Sequence, residues 1–181
     1  MKDPEEALMD VIAGELGFFD EIVRPHVASI PSFEAIDELR SSLCPEASVQ
    51  ASLMGLIRAW DKPCLLVEAE MALRKRDARR VGQEAFDFLD TPAQTLRAVR
   101  VTQNEAAHNS GLFIPRNMRV PEQSVIARVL LHGLSKLDAR EDLSWWSSSD
   151  GKTLPAFPVF VTARRAGSRA QALITPRPKS H

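Results

Sequence analysis

Arg74, Lys75, Arg76, Arg79 and Arg80 make the densest cluster of charge in this chain of 181 residues. At about 100° per residue, four of them share one helical side, where they would attract phosphate oxygens. A solvated helix face paired with nearby acids shows the same pattern. Arg97, Arg100, Asn104 and His108 recur at helical spacing, and such side chains hydrogen-bond phosphates and base edges. Arg128, His132 and Lys136 form a further ridge, and Arg164, Arg165 and Arg169 surround a turn signal at Gly167-Ser168. Within these groups the expected contacts to a nucleic-acid phosphate backbone are Arg76, Arg79, Arg80, Arg97, Arg100, Arg128, His132, Lys136, Arg164, Arg165 and Arg169.

Catalytic chemistry has thinner support. There is no glycine-rich phosphate loop and no GxSxG elbow. The four histidines, at 26, 108, 132 and 181, make no HxxxH or HExxH pair, and two isolated cysteines do not build a zinc site. No catalytic residue, metal ligand or cofactor is therefore expected. Two residues stand apart. Glu15 falls on the apolar face of Leu8, Val11, Ile12, Phe18 and Phe19, where a carboxylate needs a partner or a raised pKa. Cys64 is expected in a first helical turn, where the dipole depresses a thiol pKa, but no base adjoins it. A structural ion pair at Glu15 and a structural role for Cys64 are the preferred readings.

The net charge of −1 conceals a division. Residues 1–70 carry 14 acids and 5 bases; residues 71–181 carry 10 acids and 18 bases. After Asp150 there is no acid at all. Such asymmetry points to a polyanion partner, an acidic protein partner, or the acidic half of a second copy in a homo-oligomer. Apolar content of 44% and charged content of 26% are those of a globular chain with a real core. No apolar run approaches the ~20 residues that span a bilayer. The acidic opening MKDPEEAL reads as a helix start and not as a targeting segment, so a cytoplasmic location is expected.

The elements expected to position these groups are mostly helical. Asp3-Pro4 opens a helix to Arg24, and Ser32 caps one over Phe33–Leu43, burying Phe33, Ile36 and Leu39. A third runs from Pro45 to Trp60 on Val49, Leu53, Leu56, Ile57 and Trp60. Pro63–Leu89 reads as a long central helix whose apolar stripe changes side, which predicts a bend or a change of packing partner between Arg74 and Gly82. Thr91-Pro92 opens a helix to Asn109, residues 110–120 read as extended, and Pro121–Leu137 reads as the sixth helix. Leu143–Phe157 is a loop in which one of the tryptophan pair, Trp145 and Trp146, is expected to anchor to the core; the other, if exposed, would be a binding hot spot or stacking platform. A β-hairpin closes the fold, with strands 158–164 and 169–175. The expected architecture is a mostly α, single-domain bundle of about six helices over residues 1–175, with a basic tail over 176–181. The function expected of it is non-enzymatic nucleic-acid binding through the basic half. The alternative is a protein–protein adaptor or self-assembling subunit, and an enzyme acting through Glu15 or Cys64 ranks third.

Overall fold

The computed structural model describes residues 23–26, 31–43, 45–78 and 93–177. The chain divides into two compact units. One comprises residues 1–66 and 102–113, the other residues 67–101 and 114–181.

In the first unit, helix α1 spans Phe33–Leu43 and helix α2 spans Val49–Ala59. Ser48 caps α2 by accepting from the Ala51 amide at 3.1 Å, freeing one orphan donor of the first turn from dependence on water. Arg40 donates to the carbonyls of Ala47 (2.8 Å) and Pro45 (3.3 Å), holding the short connection in shape. Phe33, Ile36 and Leu39 face Leu53, Leu56 and Ile57 as the core of the pair. Trp60 ends α2 in extended geometry and is buried, while Val49 lies outside the core.

The second unit is built on a five-stranded antiparallel sheet, which overturns the helical bundle: this chain is α+β. The strands are β1 (Leu65–Ala72), β2 (Thr95–Gln103), β3 (Lys136–Asp142), β4 (Pro158–Ala166) and β5 (Arg169–Pro176). Their order is β2-β1-β5-β4-β3. A one-turn helix, α3 (Lys75–Ala78), follows β1; α4 (Glu105–Ser110) follows β2; and α5 (Val125–Leu131) precedes β3.

Three expected helices are therefore corrected. The central stretch enters a strand at Leu65 and leaves it at Ala72, so no bent helix spans Pro63–Leu89. Its run Leu65-Leu66-Val67 is buried without alternation, the mark of a strand covered on both faces. The expected helix over 92–109 is mostly β2, whose Thr95, Val99, Val101 and Thr102 suit a pleated backbone. The expected helix over 121–137 stops at His132, where Gly133 takes φ +70°, and Lys136 and Leu137 already belong to β3. The expected hairpin is present: β4 and β5 pair from Val159↔Pro176 to Ala166↔Arg169 across Gly167-Ser168. Gly167, at φ +65°, supplies the left-handed first turn position that side chains resist. The helix expected before Arg24 and the burial of Glu15 lie outside the described residues.

Helix α5 covers one face of β3, β4 and β5. Val159, Val161 and Ala163 point to it, as do Ala172 and Ile174. Glu141, opposite Val159, reaches the start of α5, where its Oε1 accepts from Ser124 Oγ (3.1 Å) and the Val125 amide (2.7 Å). Burial raises the Glu141 pKa against the lowering effect of those two hydrogen bonds. The alternate residues, Lys136, Asp138 and Arg140 of β3 with Phe160, Thr162 and Arg164 of β4, occupy the opposite face.

Candidate functional site

On its free side, β2 is bordered by the segment 117–120. Ala98 donates to Met118 O (3.0 Å), Asn117 to Ala98 O (2.7 Å) and Val120 to Leu96 O (3.0 Å). The pairing sets Arg97 directly opposite Arg119, and Arg119 in turn opposite Ser147. Like charges so placed repel, so this pair works against the fold unless something lies between or beside them. Arg97 is wholly buried. Its Nη1 donates to Asn117 O at 2.9 Å and to Ser149 Oγ at 3.0 Å. Its Nε and Nη2 are buried and have no partner. Those two nitrogens form one edge of the guanidinium, the fork that fits two oxygens of an oxyanion. Burial, then Arg119 and Arg74, lower the Arg97 pKa, and Asp77 opposes them. Arg119 is exposed, whereas Arg74 and Asp77 are half-buried.

The face turned away from α5 carries a second arrangement. Lys136, Arg164 and Gln171 lie in register across β3, β4 and β5, and Arg164 Nε donates to Gln171 Oε1 at 3.2 Å. Further along the sheet, Glu68 is buried between Arg100, at 3.5 Å, and Arg169, at 3.6 Å. Arg169 also reaches Glu70 through its Nε. Arg100 and Arg169 are thus committed to carboxylates. Lys136, Asp138 and Arg140 are exposed along β3, with half-buried Phe160 opposite Arg140.

The expected contacts are dispersed by this geometry. Lys136, Arg164, Arg169 and Arg100 share the face away from α5. Arg128 and His132 are exposed at α5, on the other side of the sheet from Lys136. Arg165 turns to the α5 side beside Gly133 and donates from Nε to Gly167 O at 3.2 Å. Arg97 lies in the interior, not on a hydrated helix side. Arg79, Arg80 and the side chain of Arg76 lie outside the described residues. Sequence reasoning missed Arg119, Ser149 and Asn117 as partners of Arg97; the available signal was Arg97 between the buried Leu96 and Ala98, in a β-branched run.

Elsewhere, Trp146 is buried, the expected anchor, and Trp145 is 39% exposed. Cys64 is buried just before β1, not in a helical turn, with its Sγ 3.7 Å from Leu65 O. No group of three His, Cys, Asp or Glu is placed to hold a metal among the described residues. None of their helices is long and apolar enough to cross a membrane.

No family model matches this chain, and no curated protein is similar to it in sequence.

Proposed function

We propose that this protein binds nucleic acid through its phosphate backbone, using the sheet face opposite α5. The observation that supports this reading is the exposure of Lys136 and Arg140 on β3, beside Arg164 of β4. Asp138 lies between the two β3 cations and limits the attraction, so contacts at a few phosphates are the expectation. Phe160, opposite Arg140, offers a ring on which a base of a single strand stacks. The role requires no catalytic group. A cytoplasmic location belongs to the same reading.

Salt titration tests it. Each neutralised phosphate contributes about 0.7 to the slope of log affinity against log salt on a single strand, and about 0.9 on duplex. The double substitution Lys136→Gln with Arg140→Gln removes two exposed cations. It should weaken binding to every sequence alike and flatten the single-strand slope by roughly 1.4. A protein that binds neither DNA nor RNA at low salt would contradict the reading. An adaptor or self-assembling subunit then becomes the better account, visible as a mass that rises with concentration.

A further inference from the structure

We propose that the unused edge of Arg97 holds a small tetrahedral oxyanion of the size of inorganic phosphate, with Arg119 and Arg74 supplying further positive charge. Three observations converge on this. First, Nη1 of Arg97 is anchored by Asn117 O and Ser149 Oγ, while the buried Nε–Nη2 fork has no partner. Leaving buried charged donors unmet costs more than leaving neutral ones unmet. Second, Arg97 stands directly across from Arg119, a repulsive pairing that an anion between them would reverse. Third, among the described residues Arg74 adds to Arg119 in disfavouring the charge on Arg97, and Asp77 opposes them.

The chemistry then narrows the ligand. The fork takes two oxygens of one group, and a tetrahedral anion keeps two more for the flanking arginines. A carboxylate has only the first pair. Arg97 is wholly buried, so an ion reaches the fork only as the covering side chains give way, which a compact ion demands least. The inference stands apart from the nucleic-acid reading. Arg97 precedes Arg100 by three residues on one strand, so the two point to opposite faces of the sheet.

The test is thermal unfolding of the full chain in inorganic phosphate, against chloride at equal ionic strength. Phosphate should raise Tm in a saturable way, because a ligand that binds only the folded chain stabilises it by mass action. Arg97→Lys, which keeps the charge and loses the fork, should abolish the response. Arg119→Gln alters an exposed residue and keeps the test decisive if the Arg97 variant does not fold; it should weaken phosphate by about tenfold, the order of one charge-assisted hydrogen bond. Lys136→Gln with Arg140→Gln should leave the response intact, which separates this site from the proposed nucleic-acid face. A Tm indifferent to phosphate, or an unchanged response in both Arg97→Lys and Arg119→Gln, overturns the proposal. So does acetate acting as strongly as phosphate, which would assign a carboxylate, or a nucleoside monophosphate binding more tightly than the free ion.

Discussion

Two buried polar side chains, seven positions apart, are treated in opposite ways. Asn104, in the first unit, caps α4 and uses its whole hydrogen-bonding capacity. Its Oδ1 accepts from the amides of Cys64 (3.1 Å) and Ala107 (2.8 Å). Its Nδ2 donates to the carbonyls of Trp60 (2.9 Å) and Lys62 (2.6 Å). Two acceptor sites and two donors exhaust an amide. Arg97, in the second unit, uses one nitrogen and leaves two without partners. A saturated buried group is a structural clamp. One whose strongest donors stand idle is a structural liability, or else a site whose other half is a ligand.

The largest effect should follow from breaking the clamp. Asn104→Leu leaves the Trp60 and Lys62 carbonyls and the Cys64 and Ala107 amides without their partner. Chemical denaturation should show a loss of about 4 kcal/mol, the scale of a broken buried network. A loss below about 1 kcal/mol would remove the basis of the comparison.

Glu141 sharpens it as an intermediate case, because its Oε1 takes two hydrogen bonds and its buried Oε2 takes none. Its folded pKa is raised above the ordinary value of 4.5. The folded state therefore holds this proton more tightly than the unfolded state does. The resulting stability is fully present below the unfolded pKa and is lost as pH rises through the folded one. Glu141→Gln keeps an acceptor for Ser124 and Val125 and removes the charge. At pH 7 it should match or exceed the parent by about 1 kcal/mol, and the gap should close as pH falls toward the ordinary glutamate range. A gap constant with pH would mean that burial does not govern this carboxylate.

A smaller change is expected at Ser149, which supplies one of the two acceptors holding Nη1 of Arg97. Ser149→Ala should cost at most about 1 kcal/mol in phosphate-free buffer, since Asn117 O remains. It should also loosen the phosphate response by freeing the guanidinium to rotate. Stability and phosphate affinity measured on one preparation check both.

How much of this was legible in the sequence varied with the kind of signal. Helix α1 was visible to its ends, because Ser32 and the spacing of Phe33, Ile36 and Leu39 agree. The hairpin was visible because β-branched and apolar residues flank Gly167-Ser168. Strand β1 was not, since a run of leucine, alanine and glutamate satisfies helical spacing and only tertiary pairing decides otherwise; β2 was not read either, although its valines and threonines signalled it. Asp138 apart, Lys136-Leu137-Asp138-Ala139-Arg140 is made of good helix formers, yet it alternates with period two along β4, which holds it as a strand. The candidate site was legible only as residue types. Arg97 was among the expected contacts, but its burial and its idle fork follow from a strand that helical spacing concealed.

The most direct test of the central claim, that Arg97 is held for a ligand and not for the fold, is the stability of Arg97→Met in phosphate-free buffer. Methionine keeps the length and apolar stem; it removes the two idle donors together with Nη1 and its two hydrogen bonds. If the idle donors serve only a bound anion, relief of the unsatisfied buried charge should offset those lost bonds and keep the unfolding free energy within about 1 kcal/mol of the parent. A loss of about 3–5 kcal/mol, the scale seen when a buried structural ion pair is broken, would contradict the account and make Arg97 a second clamp like Asn104.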